Sequence, residues 1–74
     1  MEGHEIKPET LSDPVDAIIF AQKQEKKAEG LYRALAQKID DPGIRTLMLE
    51  LAEEEQKHWE KLQDILDTHF HKEF

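Results

Sequence analysis

The sequence predicts an all-α protein: an antiparallel two-helix hairpin that pairs with another chain into a four-helix bundle. Three observations carry this. Two long stretches of helix-forming residues are each opened by an aspartate followed by proline, a single short turn separates them, and each bears an apolar stripe at helical spacing. Residues 1–12, with Gly3, Pro8 and no periodic pattern, read as a flexible arm. Ser12 or Asp13 can then cap a helix whose first residue is Pro14, where the missing amide hydrogen costs nothing. From there to Ile39 the chain is rich in Ala, Lys, Glu, Gln and Leu, with Gly30 the one interruption. Asp40, Asp41, Pro42 and Gly43 end that helix. Asp41 can cap a second helix with Pro42 in its first turn, and nothing interrupts it until about Thr68. The hairpin domain is thus residues 13–68, and residues 69–74 are a tail.

Two helices of about 26 residues, each ~39 Å long, must lie antiparallel when joined by so short a turn. Helix one places Ile18, Ala21, Ala28, Tyr32, Leu35, Ala36 and Ile39 on one side, and helix two does likewise with Ile44, Leu47, Met48, Leu51, Leu62, Ile65 and Leu66. A hairpin leaves much of both stripes wet. Two hairpins form the smallest closed arrangement that hides them, which makes a homo-oligomer, a dimer at minimum, the expected state. Phe20 and Leu31 fall on the far side of helix one, where they serve either as contacts in a larger assembly or as ordinary surface apolar residues.

Composition narrows the chemistry. The 74 residues carry 10 Lys and Arg against 17 Asp and Glu, a net charge of −7, and no Cys. A chain of this length buries only roughly 60% of its unfolded surface and needs a metal, disulfides or oligomerisation for security. Disulfides and thiolate metal sites are excluded, so His and carboxylate are left as metal ligands. The acidic balance argues against nucleic acid as a partner. No apolar run approaches the ~20 residues of a membrane span, and the start Met1-Glu2-Gly3-His4-Glu5 lacks a leader pattern, so a cytoplasmic protein is expected.

The informative positions on an amphipathic helix are polar residues within its apolar face. Taking Glu25 as zero on the wheel, Ile18 and Ala36 fall about 20° to one side and Tyr32 about 20° to the other, so this carboxylate sits mid-stripe. On helix two, Glu55 and His58 are about 60° apart with Leu51 and Leu62 between them, so both point inward. An isolated buried carboxylate either takes up a proton or finds a cation. Residues level with each other in an antiparallel hairpin are equally far from its turn, here centred near Asp41. Glu25 lies 16 residues before it, Glu55 14 after and His58 17 after, within one helical turn of a common level. Glu55 and His58, three apart, can reach a single ion or two ions bridged by the carboxylate. Glu29 and Glu54 lie near the same faces and are reserve ligands, or else surface carboxylates. The bland reading of the cluster is a solvated pair at a widened seam.

These residues resemble the rubrerythrin and ferritin-like superfamily. Helix one matches the family run through Glu25, Ala28, Leu31, Tyr32, Leu35 and Ala36. Helix two matches its Leu-Ala-Glu-Glu-Glu-x-x-His run through Leu51, Ala52, Glu53, Glu54, Glu55 and His58. In such bundles one Glu from each of two helices and Glu-x-x-His from each of the others hold a di-iron centre. The resemblance therefore implies that Glu25, Glu55 and His58 are iron ligands and catalytic residues. It makes Tyr32 a hydrogen-bond partner of a ligating carboxylate, although its position alone equally suits a core aromatic with its hydroxyl at the interface. Most members hold four helices in one chain with the motif pair repeated, whereas this chain has one copy and no rubredoxin cysteines. Single-hairpin members, the encapsulated ferritins, are similar in the separation of Glu25 from the Glu55 and His58 pair. That likeness implies a ferroxidase site between two subunits, a ring of dimers, and an encapsulin shell as partner and compartment.

Oxygen-rich ligands with a minority of imidazole suit iron, with manganese or zinc as substitutes. Two hairpins about a twofold axis supply four carboxylates and two imidazoles, whose four negative charges match two divalent cations. The sequence thus leads to the expectation of an iron-binding protein oxidising Fe(II) at a di-iron centre shared between two subunits. Rubrerythrin-like peroxide reduction and a non-catalytic helical assembly module are the alternatives.

Overall fold

The computed structural model describes residues 12–70, and among these it is all-helical, two long helices without a strand. Residues 1–11 of the expected arm and 71–74 of the tail lie outside the described residues. Helix α1 spans Pro14–Lys38 and helix α2 spans Pro42–Ile65. Of the two candidates for the first cap, Asp13 fills the position, its Oδ1 accepting from the backbone N–H of Val15 at 2.8 Å and of Asp16 at 3.4 Å. Asp41 repeats the device for α2, accepting from Gly43 at 2.9 Å and Ile44 at 3.2 Å. Proline follows each cap at the first helical position, as its fixed φ favours.

The turn is closed from the α2 side. Arg45 donates from Nε at 3.1 Å and from Nη2 at 3.0 Å to the carbonyl oxygen of Ile39, the extended residue that ends α1. A carbonyl left over at a helix C-terminus thereby gains a charged donor, and the first turn of α2 is tied to the last of α1. At the other end α2 departs from the uniform helix expected to Thr68. Its α-geometry stops at Ile65 and a π-turn runs over Leu66–Phe70. There the Thr68 hydroxyl donates to the Asp64 carbonyl oxygen at 2.7 Å, a back-bond that competes with regular helical pairing and bends helix ends.

The seam between the helices is narrow and made of small side chains. Ala36 and Ala52 are its buried apolar residues, and Gln22 is buried beside them. Alanine lets two backbones approach closely but removes little apolar surface from water. The large stripe residues Ile44, Leu47 and Ile65 consequently remain 37–44% exposed. His58, Leu47 and Ile65 lie within about 20° of one another on the α2 wheel, so they share one open long face of the hairpin. The opposite long face is laced with polar contacts. Arg33 and Lys26 pair with Glu29 at 3.0 and 3.2 Å, Lys26 reaches Gln56 at 2.6 Å and lies 5.0 Å from the Trp59 ring centroid, and Gln56 donates to Glu60 at 3.0 Å. Among the described residues no helix is long and apolar enough to cross a membrane.

The caps set a first expectation. Asp41→Ala should lower stability by about 1 kcal/mol, because it strands two N–H groups at the start of α2, and the loss should appear as a lower midpoint in a thermal melt followed by circular dichroism.

Candidate metal centre

Three side chains from the two helices meet at the edge of the open face. The Nδ1 atom of His58 lies 3.5 Å from Glu25 Oε1 and 3.6 Å from Glu55 Oε1. One ligand atom from each residue can be chosen so that all lie within 4.8 Å of one another. Helical spacing produces half of this arrangement, since residues three apart on α2 project side by side. The other half comes from the hairpin, whose antiparallel register brings Glu25 level with that pair. The carboxylates are mostly shielded, with side chains 23% and 21% exposed, whereas the imidazole is 57% exposed and faces outward.

The electrostatics of this trio are unfavourable without a cation. The facing Glu25 carboxylate holds the Glu55 carboxyl above its ordinary range, foremost through a hydrogen bond that requires a proton between the two. Desolvation and the like charge act in the same direction, and His58 opposes them. A cation placed among the three groups would take over the role of that proton. Their distances suit it: donors about 2.1 Å from one first-row metal ion stand ~3.0 to 3.4 Å apart, close to the separations from His58 Nδ1. Two carboxylates and an imidazole form an oxygen-rich donor set fit for iron.

The remaining sequence candidates sit elsewhere. Glu29 is one turn from Glu25 but is engaged by Arg33 and Lys26, which hold its carboxyl below the usual range. It therefore belongs to the polar face and not to the cluster. Glu54 is exposed, and Tyr32 is half-buried two turns from Glu25. Sequence reasoning passed over Gln22, whose Nε2 donates to Gln63 Oε1 at 2.9 Å and to the Trp59 carbonyl oxygen at 3.4 Å. Its place about 60° from Glu25 on the wheel, toward the seam, was the available signal.

The raised Glu55 group gives a pH signature for the metal-free protein. A carboxyl whose folded pKa exceeds its unfolded one contributes most below the unfolded value, and that contribution is lost as pH rises through the folded value. Metal-free protein should therefore lose stability across this window, and Glu55→Gln, which carries no charge to repel Glu25, should flatten the profile of melting midpoint against pH.

Comparison with known proteins agrees with the residues. No curated protein and no solved structure gives a significant match to the chain. A protein-family model for Rubrerythrin matches residues 16–74, which include all but the first two residues of α1, the whole of α2 and all three clustered side chains. The chain belongs to the rubrerythrin family, and with it to the ferritin-like proteins in which a di-iron site and iron binding are implied.

Proposed function

We propose that this chain oxidises Fe(II) at a di-iron centre completed by a second copy of itself. The observation that carries the reading is the convergence of Glu25, Glu55 and His58 within 4.8 Å at the edge of a face that also exposes Ile44, Leu47 and Ile65. One hairpin offers three ligands, too few for two metal ions. A twofold mate laid on the open face doubles the set to four carboxylates and two imidazoles, and it covers the apolar residues by the same contact. The negative charges of four carboxylates balance two divalent cations, so closure of the bundle and loading of the site favour one another.

Each residue has a distinct task in this reading. Glu25, Glu55 and His58 would hold the iron, with Glu55, three residues from His58 on one face of α2, the candidate to bridge two ions. Tyr32, on the Glu25 face, supplies a hydroxyl able to orient a carboxylate. Iron is the substrate: two Fe(II) give one electron each to dioxygen, which takes up two protons and leaves as hydrogen peroxide. The net charge of −7 favours accumulation of the cation near the chain.

Anaerobic titration with Fe(II), followed by admission of oxygen, tests the reading. Wild-type protein should take up about one iron per chain and oxidise it, whereas Glu25→Ala and His58→Ala should each reduce metal affinity about 10-fold or more. Normal turnover by either variant would overturn the assignment. The assembly has its own test, because Leu47→Lys places a charge in the middle of the open face. By analytical ultracentrifugation that variant should fall to a monomer and lose iron uptake with it, and a monomer that still oxidised Fe(II) normally would dismiss the shared site.

A further inference from the structure

We propose that the Gln22 and Gln63 side chains form a register clamp that positions the metal ligands of α1 against those of α2. The inference rests on the metal-centre reading above and concerns residues that touch none of the three ligands. Gln22 is 8% exposed, the one buried polar side chain among the described residues. Its amide nitrogen makes two contacts across the seam: one with the Gln63 side chain at 2.9 Å, the other with the backbone carbonyl of Trp59 at 3.4 Å. Trp59 directly follows His58, and Gln22 lies one helical turn before Glu25. The bridge thus joins the α1 backbone near one ligand to the α2 backbone next to another.

The need for such a bridge follows from where the site sits. The hairpin turn fixes the two helices at one end, but Glu25 is ~20 Å of helix away from the end of α1. Crossing angles of packed helices scatter by about 15–20°, and a splay of only about 5° over that lever arm displaces one helix by ~1.7 Å relative to the other. The alanine seam resists such motion weakly, because Ala36 and Ala52 carry only methyl groups, too short to interlock deeply. Ligand constellations lose affinity at displacements of this size. Gln22 and Gln63 lie on the far side of the site from the turn, so the three ligands are held between two fixed points. Gln63 is itself steadied by donating to Asp67 Oδ1 at 3.0 Å. An apolar pair would fill the same space without specifying register, which is the role for which a buried polar contact is best suited.

A positioning role and a merely stabilising one predict different results. Replacing both partners of a buried hydrogen bond by apolar groups of similar size is nearly neutral for stability. The Gln22→Leu, Gln63→Leu double variant should therefore retain its helicity and melting midpoint without metal, while its affinity for Co(II), followed by the visible absorption of the bound ion, falls about 10-fold or more. Gln22→Leu should lose as much as the double variant, because it removes both contacts across the seam, whereas Gln63→Leu, which leaves the contact with the Trp59 carbonyl, should lose no more than Gln22→Leu. A second measurement does not depend on metal. The chain has no Cys, so Lys23→Cys and Lys61→Cys introduce spin labels on exposed positions of α1 and α2, diluted with unlabelled chain. The distance distribution between the labels should broaden when Gln22 becomes leucine. Wild-type protein that binds no Co(II) would remove the metal centre and the clamp with it. Wild-type binding with unchanged affinity in the variants, or an unchanged label distribution, would overturn the clamp alone.

Discussion

Two carboxylates held against each other at a helix seam are the constraint around which this small fold is arranged. Glu25 and Glu55 come from different helices, are each about four-fifths shielded from solvent, and share a proton-dependent contact that raises the Glu55 pKa. Packing alone would avoid the arrangement, since a leucine at either position would extend the apolar stripe and remove the repulsion. The antiparallel course set by the turn nevertheless brings the two to one level. His58 then offers an imidazole on the outer side of the pair, exposed enough to accept a partner from beyond the hairpin.

The same hairpin is short of a core. Its fully buried apolar side chains among the described residues are two alanines, and most of its large aliphatic groups lie on or near the surface. The exposed aliphatic groups are not confined to one face: Leu49 lies about 180° from His58 on the α2 wheel, beside the ladder of polar contacts that runs from Arg33 through Glu29, Lys26 and Gln56 to Glu60, and Ile19 and Leu31 lie about 120° to either side of Glu25 on α1. Ile44, Leu47 and Ile65 share a face with the carboxylate and imidazole cluster, so a contact there would cover these three and reach the uncompensated carboxylates at once.

Much of this was legible in the sequence, because it depends on spacing. Asp13 and Asp41 cap as aspartates before proline do, and counting residues from the turn puts Glu25, Glu55 and His58 at one height. Angles and heights do not tell which neighbour a long side chain will prefer. Glu29 falls only about 40° from Glu25 on the wheel and reads as a spare ligand, but Lys26 and Arg33, at three and four residues' distance, draw it to the other face. Gln22 escaped notice for a related reason. A glutamine at a stripe's margin reads as solvated, and its burial depends on Gln63, 41 residues away in sequence, offering an acceptor across the seam. The π-turn after Ile65, where the Thr68 hydroxyl donates to the Asp64 carbonyl oxygen, is likewise a local feature that periodicity does not register.

The contrast between Glu29 and the Glu25 and Glu55 pair shows how one residue type serves two ends within a single turn of helix. Glu29 has two permanent cations of its own chain at 3.0 and 3.2 Å, and its charge is spent on holding the polar face together. Lys26, next to Glu25 in sequence, is turned away toward Gln56 and the Trp59 ring. Arg45, at the turn, bonds the Ile39 carbonyl and lies ~15 Å of helix from Glu55. Among the described ion pairs, the only basic group against Glu25 and Glu55 is His58, which is a cation only when protonated and a metal ligand when neutral. By withholding its lysines and arginines from this pair, the chain leaves the carboxylates' charge to be neutralised from outside, and the imidazole beside them is the ligand type that an incoming metal ion would use.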